Sequence, residues 1–209
     1  MEEAPRSEKK ALQRRRIVDA ARTVFFRDGF MEANLDDVAQ GAGLAKGTLY
    51  RYFENKAELY VAVLSHNAEV FLELVRTALG GAGTASDRIR SLGRFYRSHW
   101  TDNPEYFQIF WALENQPVIG ELPRSAVDEV TQLWRSCLSE LADVIEDGVK
   151  RGEFISCEPW MMAHLLWSGA NALIRGEEVK ARRELRRHDL ADCFDAMVEL
   201  YLRGLQEPR

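Results

Sequence analysis

Apolar residues recur along this chain with the spacing of helical stripes. Between Lys9 and Arg27, the residues Ile17, Ala21, Val24 and Phe25 stand at i, i+4, i+7 and i+8, one face of an amphipathic helix. Asp28-Gly29 ends it, glycine being suited to the left-handed position that follows a helix. Asn34 is a good N-cap for the next segment, and Asp36 and Asp37 favour its positive end. Val38, Ala39 and Ala42 give that segment its inner face, and Gly41 and Gly43 break it. A short helix follows over 45–53. Asn55-Lys-Ala-Glu58 has the form of a capping box and opens a long helix to about Leu79.

Gly80-Gly-Ala-Gly-Thr is the clearest interruption, and the stripes beyond it predict helices over about 86–101, 104–115, 124–151, 158–176 and 189–205. Pro104 suits a first-turn position. Gly120 and Pro123, Gly152, and the charged 177–188 stretch separate the later helices. Strand-like alternation bounded by turns is absent, as are glycine-rich phosphate loops and internal repeats. The expected fold class is all-α, with about nine helices in total.

Residues 45–53 carry the most chemistry. On a helical wheel Leu49 and Phe53 share the inward side with Ala45 beside them, while Gly47, Thr48 and Arg51 point outward, flanked by Lys46, Tyr50 and Tyr52. Gly47 lets a backbone come close to DNA. Arg51 offers two parallel donors to guanine, and Thr48 a hydroxyl and a methyl to a base edge. Tyr50 and Tyr52 carry phenols that reach phosphate oxygens on the groove walls. Lys46 and Lys56 bracket the segment as phosphate partners, and Asn34 caps a helix whose free N–H groups suit another phosphate. Alternatives stay open at three positions. Tyr50 and Tyr52 also fit as packing residues, and Arg51 as the partner of Glu54 or Glu58.

Net charge changes the picture only when the chain is divided. The whole chain carries −5, but residues 1–60 hold 11 Lys and Arg against 10 Asp and Glu. The run Lys9-Lys10-Ala-Leu-Gln-Arg14-Arg15-Arg16 stands beside the candidate reading unit, and local charge governs attraction to phosphate.

The stretch closely resembles the DNA-binding domain of the TetR/AcrR family of bacterial transcriptional regulators. The matching features are Ile17-Val-Asp-Ala-Ala, Phe25 and Gly29, Asp37-Val-Ala, and Ala45-Lys-Gly-Thr-Leu-Tyr-Arg-Tyr-Phe followed by Asn55-Lys, all within residues 10–60. The resemblance implies a three-helix, helix-turn-helix head (expected domain 9–56) and a larger helical body that binds ligand and dimerises (57–209). It places Lys46, Gly47, Thr48, Tyr50, Tyr52 and Lys56 where the family contacts DNA. Arg51 occupies a more variable place. Asn34 replaces the Thr or Ser that is frequent there. The expected function is a ligand-responsive repressor that binds a near-palindromic operator as a dimer and is released by a small molecule.

In the family the last two long helices pair with their copies. Here 158–176 presents Trp160, Ala163, His164, Trp167, Ala170, Asn171 and Ile174, and 189–205 presents Leu190, Phe194, Met197, Val198, Tyr201 and Leu205. Lining the monomer core is the alternative for both. Aromatics gather in the body, and Trp100, Phe107, Phe110, Trp111, Trp134 and Trp167, with His164 and Asn171, are the candidate lining of an effector cavity. His99 and Arg175 are further polar candidates, and the expected effector is apolar or aromatic.

Cys137, Cys157 and Cys193 lie far apart and form no metal-ligand spacing, so no metal and no cofactor is expected. No apolar run is long enough to span a bilayer and the first residues lack a signal-peptide core, which predicts a cytoplasmic protein without membrane contact. An enzyme is a poor reading, because Glu105, Glu114, His99 and His164 fall in no catalytic spacing. An accessory regulator acting through protein contacts, without specific DNA readout, is the remaining alternative.

Overall fold

The structure, a computed structural model, describes residues 6–104, 107 and 124–206. The fold is all-α, and the described residues form helices α1 (Arg6–Glu32), α2 (Leu35–Gly41), α3 (Lys46–Leu49), α4 (Lys56–Leu79), α5 (Ala85–Asp102), α6 (Arg124–Lys150), α7 (Pro159–Glu178), α8 (Lys180–Arg186) and α9 (Leu190–Leu205). Apart from Pro104 and Phe107, the predicted helix over 104–115 lies outside the described residues, as do Gly120 and Pro123. No helix among the described residues is long and apolar enough to cross a membrane. The chain divides into two compact units, Met1–Glu69 with Glu105–Gln132, and Val70–Pro104 with Leu133–Arg209.

The first unit contains the head. The stripe on α1 buries Ile17, Ala21, Val24 and Phe25, and α2 buries Leu35, Val38 and Ala39. Phe25, Phe30 and Tyr60 form an aromatic knot, with ring centroids 5.1 Å apart for Phe25–Tyr60 and 4.9 Å for Phe30–Tyr60. Gly29 breaks α1 at φ 72°, and the chain then resumes a last turn to Glu32 rather than ending at the glycine. Between α2 and α3, Gly43 takes φ 69°. The Cβ position of Gly41 lies 3.3 Å from Ala20 Cβ, so only a small residue lets α2 sit this close to α1.

Two local expectations change. The short helix expected over 45–53 is α-helical only from Lys46 to Leu49. Beyond it Arg51 N–H bonds to Thr48 O at 3.2 Å and Tyr52 N–H to Leu49 O at 2.9 Å, so the backbone tightens into turns before Phe53. The capping box at α4 is shifted: Asn55 Oδ1 accepts from Glu58 N–H at 2.8 Å, but Glu58 Oε2 reaches back to Glu54 N–H at 2.6 Å instead of Asn55.

In the second unit α5 packs against both α7 and α9. Small residues set the spacing. A Cβ on Gly93 would stand 3.1 Å from Val198 Cγ2, and one on Gly169 would stand 3.0 Å from Met197 Sδ. Thr84 and Asp87 form a complete capping box at the start of α5, and Glu153 also accepts from Ala85 N–H and Ser86 N–H at 2.7 and 2.8 Å. Arg90 grips Glu199 through one guanidinium edge, Nε and Nη2 donating to the two carboxylate oxygens at 2.5 and 3.1 Å.

The charged 177–188 stretch, expected as a separator, contains helix α8. Lys180, Ala181, Arg182, Arg183, Glu184 and Leu185 are strong helix formers, and Arg187 at φ 60° ends the helix in the left-handed region. Several residues expected on a dimer face are used inside the chain. Ala163, Ala170, Asn171 and Ile174 of α7, and Leu190, Phe194, Val198 and Leu205 of α9, are buried where α5, α7 and α9 pack against one another. Trp160, Met161 and Leu165 of α7 and Leu200 of α9 remain exposed.

Candidate nucleic-acid interface

The head builds its outer face from a short segment with two buried anchors. Leu49 is 0 % exposed and Phe53 1 %, so both belong to the core. Lys46, Gly47, Tyr50 and Arg51 are exposed on the other side, and Thr48 and Tyr52 are half-buried. Tyr50 is 45 % exposed, which argues against the packing reading at that position. Among the described residues Arg51 forms no ion pair with Glu54 or Glu58, so its guanidinium is available. No heavy atom lies within 4 Å of a Cβ placed on Gly47, so nothing inside the head requires glycine there.

Each flanking group has a defined partner. Asn34 caps α2, its Oδ1 accepting from Asp36 N–H at 2.9 Å. Lys46 Nζ donates to Asp36 at 3.0 Å, and that bond to the carboxylate raises the lysine's pKa. Arg27 bridges Asp28 and Asp37 at 2.6 and 2.7 Å, tying the end of α1 to the start of α2. Lys56 is half-buried, donates to Met31 O at 2.7 Å and stands 5.0 Å above the Phe30 ring. It therefore helps lock the last turn of α1, a structural duty that the sequence reading did not assign to it.

The structure brings Asn34, Lys46, Tyr50 and Lys56 together along one open cleft of about 570 Å³, which Glu32 and Glu54 also border. Gly47, Thr48, Arg51 and Tyr52 belong to the same short segment as Lys46 and Tyr50. The segment exposes the cations Lys46 and Arg51, the Tyr50 phenol and the bare backbone of Gly47, with Thr48 and Tyr52 half-buried. These are the groups that bind phosphate and read base edges.

The body holds a separate constellation. Tyr96 is its hub, a residue that the sequence does not single out. Its hydroxyl donates to Asn171 Oδ1 at 2.5 Å, and the Trp100 and Trp167 side chains lie close to it. Burial is the main reason its pKa is raised. Trp100 packs at 5.9 Å from Tyr96, and Trp134 at 6.3 Å from Trp167. Burial also pushes the Cys137 thiol up to about 12. The Asn171 Nδ2 atom is buried with no hydrogen-bond partner among the described residues. Trp100, Trp134, Trp167 and Asn171 thus come together. His164 stands at the exposed side of Trp167, with ring centroids 5.8 Å apart. Phe107 is buried in the other unit, while Phe110 and Trp111 lie outside the described residues. Arg175 is exposed, whereas His99 is half-buried.

Comparison with known proteins places this geometry. The sequence model described as bacterial regulatory proteins, tetR family, matches residues 17–63. YhgD of Bacillus subtilis (strain 168), an uncharacterised HTH-type transcriptional regulator, is 29% identical over 191 residues, covering 89% of this chain and 92% of that protein. The HTH-type transcriptional activator FasR of Mycolicibacterium smegmatis is 36% identical over 142 residues, 68% of this chain and 60% of that protein. The crystal structure of FadR from Bacillus subtilis in complex with stearoyl-CoA superposes with a TM-score of 0.72 at 17% identity, covering 92% of this chain and 99% of that one.

Proposed function

Because the chain belongs to the TetR family of bacterial transcriptional regulators, we propose that this DNA-binding regulator is a ligand-responsive repressor acting as a dimer on a near-palindromic operator. The observation that carries the reading is the division of residues 46–53: Leu49 and Phe53 are buried, and Lys46, Gly47, Tyr50 and Arg51 are exposed. Residues 9–56 read DNA. Asn34, Lys46, Tyr50, Tyr52 and Lys56 take phosphates, and Thr48 and Arg51 face base edges. Lys56 spends one of its three donors on Met31 O and keeps the others for phosphate.

Residues 57–209 bind the effector and dimerise. Two heads on successive half-sites double the phosphate contacts, and half-site spacing follows from the two-fold symmetry. The effector is apolar or aromatic. Trp100, Trp134, Trp167 and Asn171 supply an aromatic wall and one unsatisfied amide donor for it. A long-chain acyl-CoA is the first compound to test, since the FadR neighbour was solved with stearoyl-CoA. The effector favours a body conformation in which the two heads no longer match the operator. Release then depends on differential affinity between the two states, with a coupling of about 1–3 kcal/mol. Helix α4 contributes residues to both units and is the covalent route for that coupling.

The test is selection of binding sites from random duplexes with the full-length protein at low ionic strength. The expected product is a two-fold symmetric motif whose affinity falls steeply with salt and is lost in Tyr50→Ala without a drop in melting temperature. No enrichment at low salt, or equal loss of melting temperature and binding in Tyr50→Ala, overturns the reading.

A further inference from the structure

We propose that helix α1 carries a second DNA contact, in which Lys10 and Arg14 bind the phosphate backbone flanking the bases that α3 faces. The inference rests on the DNA reading of the head and adds residues that the reading does not need. It starts from where α1 stops being buried. The helix begins at Arg6, yet its first buried residue is Ile17, and between Ser7 and Arg16 none is buried and only Gln13 is half-buried. Nearly three helical turns therefore precede the first residue that α1 buries in the head core.

That exposed half is strongly basic. Over residues 6–16, Arg6, Lys9, Lys10, Arg14, Arg15 and Arg16 stand against Glu8 alone. The cations do not all face one way. Taking Arg14 as the origin and about 100° per residue, Ala21 and Phe25 fall within about 20° of it, and Lys10 within about 40°. Arg15 and Arg16 fall about 100° and about 160° away. Lys10 and Arg14 thus continue the stripe that Ala21 and Phe25 bury, and the stripe changes from apolar to cationic where it leaves the core.

One contact fixes this stripe to the reading segment. The Arg14 guanidinium lies 4.9 Å above the ring of Phe53, the anchor that ends the turns after α3. Among the described residues neither Lys10 nor Arg14 forms an ion pair. A cationic row that extends past the core, unneutralised and in contact with the base of the reading segment, fits an anionic surface longer than the groove contact itself. Duplex DNA is such a surface, with phosphates continuing on both sides of any half-site.

The experiment measures affinity against salt for the full-length protein on a duplex selected as above. Each phosphate contact contributes about 0.9 to the slope of log affinity against log salt, so Lys10→Ala with Arg14→Gln lowers it by about 1.8 per head. Arg15→Ala with Arg16→Ala leaves the slope unchanged, and Arg14→Lys preserves it. Should Arg14→Gln lower the melting temperature through Phe53, Lys10→Ala alone carries the test with a loss of about 0.9 per head. A steep wild-type slope unaltered by Lys10→Ala with Arg14→Gln overturns this contact while leaving the DNA reading intact. An equal loss in the Arg15 and Arg16 pair overturns it as well, showing a general charge effect. A wild type that binds no duplex overturns the DNA reading itself.

Discussion

Lys46 Nζ and Asp36 Oδ1 stand 2.9 Å apart, joining the first residue of the reading segment to the first turn of α2. Both side chains are about half exposed, at 50% and 54%, so the pair adds little to stability. Its consequence lies in binding. In the free protein the lysine intended for a phosphate already has a carboxylate, and DNA must replace one anion by another. Asp36→Asn leaves the lysine unneutralised. The expected result is tighter DNA binding by a few-fold, with a steeper salt dependence and an unchanged melting temperature. Lys46→Ala acts in the opposite sense and lowers the salt slope by about 0.9 per head. Weaker binding in Asp36→Asn would mean that the pair orients α3 for DNA instead of competing with it.

Gly47 separates a folding role from a binding role. Its backbone is not in the left-handed region and its Cβ direction is open, so alanine fits without strain. Alanine is also the better helix former, by up to about 1 kcal/mol. Gly47→Ala is therefore expected to keep or slightly raise the melting temperature. If the backbone lies against DNA, the added methyl group lowers affinity by about tenfold, or roughly 1.4 kcal/mol. Thermal melting and titration of the selected duplex check the two halves separately. Full affinity in Gly47→Ala would remove the close-approach argument for this residue.

Much of this was legible in the sequence because local rules and tertiary packing agree. The stripe Ile17, Ala21, Val24, Phe25 is buried as its spacing predicts, and Asn34 caps α2. Leu49 and Phe53 are the anchors that the helical wheel selects. What escaped depends on distant partners. For Lys56 the sequence offers only the phosphate role, and its second tie, to Met31 O and the Phe30 ring, becomes visible only in the folded head. The apolar width of α7 and α9 suggests a partner chain, but Asn171 and Val198 of these helices face α5 of the same chain, and periodicity alone does not count a third helix. Helix α8 was hidden by its charge, although its residues are good helix formers. The hub role of Tyr96 needs Asn171, 75 residues away, to become visible.

His99 predicts a pH response of the body. Its ring packs 5.0 Å from Phe71, 5.4 Å from Phe95 and 4.8 Å from Trp100. Burial holds its pKa below the ordinary 6.5, opposed by Asp102. The folded protein therefore takes up this proton less readily than the unfolded chain. The stabilising term is complete above 6.5 and erodes as pH falls below it. Asp87, Glu153 and Glu199 have lowered pKa values, so their losses begin only in the ordinary carboxylate range, well below this window. The melting temperature is expected to fall as the pH drops below about 6.5, and His99→Phe is expected to flatten that fall. An unchanged pH profile in His99→Phe would assign the acid response to other groups.

The exposed apolar residues of α7 and α9 predict the dimer face. Met161 is 50% exposed, Leu165 55% and Leu200 74%, although the core-facing positions of the same helices are already filled. Met161 and Leu165 are four apart on α7 and share one face. Fully burying one such side chain contributes about 1.5–3 kcal/mol, so a two-fold interface that covers these residues in both copies gains from each of them twice. In an isolated chain, charge at these positions meets only water. Leu165→Asp with Leu200→Asp is therefore expected to leave helical content unchanged and to give a monomer in sedimentation. The same variant is expected to halve the salt slope of DNA binding, because one head makes half the phosphate contacts of two. Should it remain a dimer with the full slope, the paired surface lies elsewhere on the body. A monomer that kept the full slope would show that a single head supplies all the contacts, and the need for a symmetric operator would disappear with it.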